Sequence, residues 1–337
     1  MRIRAYSVVL VIFVVAAGLL LLHTGTFLTV PSKSIIYTTE KTNQGNSQQL
    51  GIPKIIHQIW HDYRVPQNCV EWMKSWMQNH PSPEWEYWFW TKADWEYLIK
   101  TRFPNFYEHY HGFRGEIFRA DIIRHFIMYE IGGIYVDLDI INLRTIDDFI
   151  LNKSCVLSLE PYEHSFFLYE KPDGLVSTAI LASRPRHPFF KKIVHEYQRI
   201  SPQDERTEPD PVGVTGPVKF DRLYREYLKS NMTRYEDRIY LADPKYLMPS
   251  IDKGRISEIQ VACEISNRKV TSTSEVVQTQ ELCKYLKKHS FRPPLPSTAY
   301  CDHLWIHTYL VGYHSGYSDV HNIASNISVQ ERLRDLL

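Results

Sequence analysis

Four residues near the middle of this 337-residue chain have the types and spacing to hold a cation and a phosphate group. Asp137 and Asp139 are carboxylates one residue apart, closing the short apolar run GIYV. If that run is a strand, its side chains alternate between faces, so the two aspartates leave its end on the same side. Two convergent carboxylates suit a hard divalent cation, above all one also held by phosphate oxygens. Asp121 and Arg124 lie three apart in the preceding segment, FRADIIRHFIMYE, whose apolar spacing predicts a helix on which the two share a face. Each pair also has a plainer reading. The first is then a solvated loop after a buried strand. The second is then a surface ion pair worth a few tenths of a kcal/mol.

The surrounding elements decide how these pairs meet. Gly132-Gly133 follows the predicted helix, and a glycine there takes the left-handed conformation that closes it. The short turn is expected to bring Asp121 and Arg124 towards the start of the strand that carries Asp137. Elsewhere, strands are expected at Lys54–Trp60, Trp85–Trp90, Cys155–Leu159 and Ser177–Ala182, and helices at Cys69–Asn79, Lys92–Thr101 and His187–Arg199. Pro188 falls in the first turn of the last helix, where a missing N–H costs little. Such alternation predicts a mainly parallel sheet covered on both faces, with ligands bound beyond the carboxyl ends of its strands. Trp60 ends the first strand, so it is placed either to stack on a flat ligand or to pack in the core. Ser201–Pro211 is a polar loop and Asp252–Pro296 reads as an insertion.

Composition narrows the function classes. The chain is 44% hydrophobic and 23% charged with a formal charge of +1, ordinary globular values without a basic stripe, so nucleic acid is not an expected partner. Val8–Leu22 is an unbroken apolar run with Arg2 and Arg4 before it. Ala5–Leu22 approaches the roughly 20 residues of a membrane helix, and the flanking arginines favour a cytoplasmic amino end. A cleaved signal peptide is the competing reading, although no good A-x-A site follows. The expected layout is a tail and signal anchor over 1–30, a flexible stem over 31–50 and a lumenal domain over 51–337. Among five cysteines no zinc spacing occurs; Cys155 reads as a buried thiol and Cys263–Cys283 as a disulfide. Sequons at Asn152, Asn231 and Asn326 are compatible with a lumenal location.

Read together, R-A-D-x-x-R and G-G-x-Y-x-D-x-D resemble a sugar-transferase signature. They are similar to the retaining family that contains the fungal initiating α-1,6-mannosyltransferase, the inositolphosphoceramide mannosyltransferases and the vertebrate α-1,4-galactosyltransferases, and more distantly to the large clostridial glucosylating toxins. Ile52–Pro66 (IPKIIHQIWHDYRVP), Ile180–Phe190 (ILASRPRHPFF) and Val214–Pro217 (VTGP) extend the likeness. The resemblance implies a GT-A type, Rossmann-like mixed α/β sheet flanked by helices, forming one catalytic domain. It further implies Mn²⁺ or Mg²⁺ on Asp137 and Asp139, a nucleotide-sugar donor contacted by Asp121, Arg124 and Asp137, and Trp60 beside the base. A histidine near the carboxyl terminus also reaches the metal in such proteins. Here CDHLWIHTYLVGYH offers His303, His307 and His314. The asparagine common before A-I-L-A-S is replaced by Ser177-Thr178, which puts that sugar contact in doubt.

The implied reaction is transfer of a hexose from GDP-mannose or a UDP-sugar to a glycan or glycolipid hydroxyl. A metal and cationic donors would neutralise the leaving diphosphate. The expected location is the Golgi or endoplasmic reticulum membrane, with single-pass type II topology. Two other classes compete. One is a non-catalytic sugar-binding or chaperone-like relative. The other is a haloacid-dehalogenase-like phosphatase, which shares only the D-x-D and normally carries it in the first strand of the domain.

Overall fold

The computed structural model describes residues 51–171, 173–203, 210–230, 234–268, 274–307, 316–324, 329 and 332–333. The expected anchor and stem, the sequons at Asn231 and Asn326, and His314 lie outside the described residues. Among the described residues, no helix is long and apolar enough to cross a membrane.

The frame is a six-stranded sheet in the order β3-β1-β4-β7-β6-β8. Its strands are β1 (Ile55–Ile59), β3 (Glu86–Trp90), β4 (Gly133–Val136), β6 (Cys155–Leu159), β7 (Val176–Ser183) and β8 (Tyr240–Ala242). β1 runs parallel to both β3 and β4, and β8 runs parallel to β6. β7 is antiparallel to both β4 and β6, so the sheet is mixed. Two small antiparallel ribbons accompany it. One pairs β2 (Arg64–Pro66) with β10 (Tyr317–Asp319), and the other pairs β5 (Ile140–Asn142) with β9 (Cys301–His303).

Both faces of the sheet are covered, which is why its central strands are apolar throughout rather than alternating. In β4, Ile134 and Val136 face one core with Trp76, Ile180 and Met248. Tyr135 between them faces the other, with Phe126, Phe189 and Phe220. The helices over these faces include α1 (Cys69–Asn79), α2 (Lys92–Arg102), α3 (Glu116–Glu130), α4 (Tyr162–Phe167), α5 (Pro188–Tyr197), α6 (Pro211–Val214) and α7 (Pro217–Leu228). Thr91 and Asp94 cap α2 reciprocally, which stops the aromatic strand β3 and starts the helix.

The α3–β4 connection needs both of its glycines. Gly132 and Gly133 have φ of +73° and +91°, and a Cβ on Gly133 would lie 2.6 Å from the Ile55 carbonyl oxygen. Buried His57 locks the turn. Its Nδ1 accepts from the Trp90 indole (3.0 Å), so its Nε2–H donates to the Gly132 carbonyl (2.8 Å). Burial holds that imidazole neutral, with its pKa lowered to about 3.

The expected insertion at Asp252–Pro296 is largely two helices, α8 (Ile256–Arg268) and α9 (Ser274–Lys288), joined by the Cys263–Cys283 disulfide. Cys69, Cys155 and Cys301 are buried free thiols.

Candidate active site

The turn after α3 sets the geometry of the site. A helix rises about 1.5 Å per residue and a strand about 3.3 Å, so nine residues back along α3 match four along β4. Asp121 and Arg124 therefore meet the far end of the strand, and not its start as the sequence suggested. There, Arg124 Nη1 lies 3.2 Å from Asp137 Oδ1 while Nη2 lies 3.0 Å from Asp121 Oδ1. Arg124 also donates to the Thr178 carbonyl on β7 (3.1 Å).

Asp137 and Asp139 converge by a different route from the expected one. β4 ends at Val136; residues 137–139 form a turn, in which the Ile140 N–H donates to the Asp137 carbonyl (3.2 Å) before β5 begins. Strand alternation instead aligns Tyr135 with Asp137, and the Tyr135 hydroxyl donates to Asp137 Oδ1 (2.5 Å). Asp139 is held from the carboxyl-terminal side. β9 pairs His303 with Ile140, so the imidazole lies beside Asp139, with Nε2 3.0 Å from Oδ1. The Ile306 N–H donates to Asp139 Oδ2 (2.8 Å) and the Leu304 N–H to its carbonyl (2.9 Å).

Ligand atoms of Asp137, Asp139 and His303 lie within 4.8 Å of one another. Two carboxylates and an imidazole are a fitting set for Mn²⁺ or Mg²⁺. The electrostatics favour a cation as well. Burial pushes the Asp137 carboxyl upward; Arg124 pulls it down, and the neighbouring Asp139 charge pushes it up again, leaving it above its ordinary range. For Asp139, burial also acts upward, but His303 and the Ile306 amide outweigh it and hold the carboxyl low. Burial alone would lower the His303 pKa, and the Asp139 charge reverses that and raises it. His303 Nδ1 is buried and has no hydrogen-bond partner among the described residues. His307 stands apart from this group, with Nε2 2.6 Å from Asp252 Oδ2.

The site opens into a cleft of about 700 Å³ lined by Trp60, Asp121, Arg124, Asp137, Asp139, His303 and His307. Trp60 combines the two roles offered to it. It packs beside Val65, Phe89 and Leu138, and it faces the cleft with its indole N–H donating to the Arg64 carbonyl (3.0 Å).

Four further residues gain roles that sequence reasoning left unassigned. Thr215 lies in V-T-G-P, read only as a helix start, and its hydroxyl donates to Asp121 Oδ2 (2.9 Å). The Tyr197 hydroxyl fixes Thr215 through its carbonyl (2.7 Å). Trp305 packs against His303 with its ring tilted, centroids 4.0 Å apart. For Tyr135, period-two alternation with Asp137 was the available signal. For Thr215 and Trp305 the partners are distant in sequence and no local signal existed.

Asp121 is the costly member. Burial pushes its carboxyl up to about 6, with Arg124 and Thr215 pulling it back only in part. A carboxylate in this position is kept for what it contacts rather than for stability.

Residues 66–157, which include Asp121, Arg124, Asp137 and Asp139, match the family model described as "Glycosyltransferase sugar-binding region containing DXD motif". Inositol phosphoceramide mannosyltransferase 3 of Schizosaccharomyces pombe is 32% identical over 158 residues, covering 46% of this chain and 40% of that protein. Mannosyl phosphorylinositol ceramide synthase SUR1 of Saccharomyces cerevisiae is 29% identical over 210 residues, covering 60% and 51%. The likeness to inositolphosphoceramide mannosyltransferases expected from the motifs is thus found. The chain spans about half the length of the curated relatives it matches. Among solved structures, PaToxG glycosyltransferase is similar at 12% identity with a TM-score of 0.40, covering 72% of this chain and 89% of that one.

Proposed function

We propose that this chain is a metal-dependent glycosyltransferase that moves a hexose from a nucleotide-sugar to a hydroxyl of a glycan or glycolipid. The observation that carries the reading is the Asp137–Asp139–His303 group, set at the sheet end beside the Arg124-centred network. A bound Mn²⁺ or Mg²⁺ would neutralise the departing diphosphate. Asp137, Asp139 and His303 would hold it.

The protein's own residues do the rest. Arg124 adds a fixed positive charge at the cleft wall, pre-aligned by two carboxylates and a carbonyl, so no reorganisation is needed when charge develops on the leaving group. Asp121, fixed by Arg124 and Thr215, keeps oxygen acceptors beside that cation for the hydroxyls of the donor sugar. Trp60 offers an apolar face for the base. Retention at the anomeric carbon is part of the proposal and rests on the motif resemblance.

GDP-mannose is the first donor to test, because the relatives described above are named mannosyltransferases or mannosyl transfer enzymes; an inositol phosphoceramide is the first acceptor for the same reason. UDP-sugars are the alternative donors. The apolar run after Arg2 and Arg4 supports a type II anchor that places the domain in the lumen of the Golgi or endoplasmic reticulum. Protease protection of the carboxyl terminus in sealed microsomes tests that topology.

A calorimetric panel of UDP- and GDP-sugars, with Mn²⁺ and with EDTA, tests the central reading. Binding of one donor that disappears with EDTA is expected. Equal affinity with and without metal, or no binding of any donor, would defeat it.

A further inference from the structure

β7 acts as a ruler along the cleft. The Asp137 N–H docks on the Ala179 carbonyl, Arg124 reaches the Thr178 carbonyl, and the Glu160 N–H docks on the Leu175 carbonyl. Glu160 therefore follows β6, two strands across from β4 and beyond a register shift in the β6–β7 pairing, close enough to His303 for its charge to raise that imidazole's pKa. Trp60 directly follows β1, on the opposite side of β4. The cleft thus has an aromatic wall at Trp60 and, on the other side of the metal group, a carboxylate at Glu160.

Glu160 is a buried carboxylate paired with a single imidazole. It is 3% exposed, lines the cleft, and its Oε2 has no hydrogen-bond partner among the described residues. A buried carboxylate oxygen without a partner carries a full desolvation penalty. His164 Nδ1 lies 3.4 Å from Oε2. His164 Nε2 accepts from the Asp252 N–H (2.8 Å), so its proton sits on Nδ1 and faces Glu160. Trp305 packs edge-on against His164 at 4.4 Å and links this corner to the metal-side histidine, against which it also packs at a tilt.

We propose that Glu160 is the acceptor-side carboxylate. It accepts a hydrogen bond from the hydroxyl of the incoming sugar or polyol and aims that oxygen at the anomeric carbon held on the Arg124 side. His164 is a positioning residue that keeps the carboxylate turned into the cleft. The inference rests on the glycosyltransferase reading above and adds to it where the acceptor enters and what greets it.

The test uses the full chain with Mn²⁺, GDP-mannose and a short-chain inositol phosphoceramide, comparing wild type with Glu160→Gln and Glu160→Ala. Loss of one charge-assisted hydrogen bond predicts about a tenfold to hundredfold fall in kcat/KM for the acceptor, carried partly by KM. Affinity for GDP-mannose with Mn²⁺, read by calorimetry, should stay within about twofold. Glu160→Gln keeps the side-chain volume, so it carries the test if Glu160→Ala folds poorly. Unchanged acceptor kinetics in Glu160→Gln, or an equal loss of donor affinity, would overturn the assignment. A wild-type protein that neither binds nor turns over any GDP- or UDP-sugar with Mn²⁺ would instead sink the underlying reading, and this inference with it.

Discussion

The two halves of the cleft are built on opposite plans. One half, Asp121–Arg124–Tyr135–Asp137, comes from a single helix–turn–strand unit and is closed on itself by a buried arginine. The other half, Asp139–His303–Ile306, joins positions more than 160 residues apart. Their electrostatics differ in the same way. In the first half both carboxyls are pushed above their ordinary range by burial, and in the second Asp139 is held below it by His303 and a backbone amide. The local half stores the unfavourable charge, and the distant half relieves it. A site assembled this way has its charge placed by one folding unit and its metal group completed by another.

The largest way to break that contrast is Arg124→Leu. It leaves Asp121 and Asp137 buried without their cation, so unfolding free energy should drop by about 3–5 kcal/mol, measured by denaturant titration. A drop of under 1 kcal/mol would mean that the arginine is not the node of the local half.

Next in size is the choice of histidine. His303→Gln should weaken Mn²⁺ binding at least about a hundredfold, while His307→Gln, paired with Asp252, should change it by less than about threefold. Isothermal titration with Mn²⁺ on both variants decides it. Reversed effects would move the second half of the site one turn further along the chain.

Asp121→Asn is the smallest and the most diagnostic. The folded carboxyl titrates near 6, against about 3.9 when unfolded. Between those values the folded state binds the extra proton, so wild-type stability falls as pH rises from about 4 to about 6 and then levels off. The Asn variant carries no such penalty. It should be more stable than wild type by about 1–2 kcal/mol at pH 7, with the gain vanishing below pH 4, even as transfer is lost. A variant destabilised at pH 7 would show that Asp121 supports the fold.

The same division explains what the sequence disclosed. α3, the glycine stop and the apolar strand are local, so their existence and the candidates Asp121, Arg124, Asp137 and Asp139 were legible from spacing alone. The error there was one of lengths. Helix and strand advance at different rates per residue, which places Arg124 at the end of β4, and the aspartates meet through a turn where alternation was expected. In the distant half, sequence narrowed the histidine to a few candidates, because only the pairing of β5 with β9 sets His303 beside Asp139. Glu160 and Thr215 gave no signal, since neither lies near its site partners in the chain. β7 was expected as a strand, but its antiparallel direction depends on how the chain returns after β6, which periodicity does not encode.

The three buried thiols supply a clock for each region. Burial pushes Cys69 up to about 12 and also raises Cys155 and Cys301, so in the native fold each lacks the thiolate needed to react. Cys69 opens α1, Cys155 opens strand β6 of the main sheet, and Cys301 precedes the metal-side histidine on β9. Alkylation by iodoacetamide therefore reports transient opening, residue by residue, without an engineered label. If β9 detaches independently of the main sheet, Cys301 will be modified before Cys155, and Mn²⁺ will slow the first reaction more than the second.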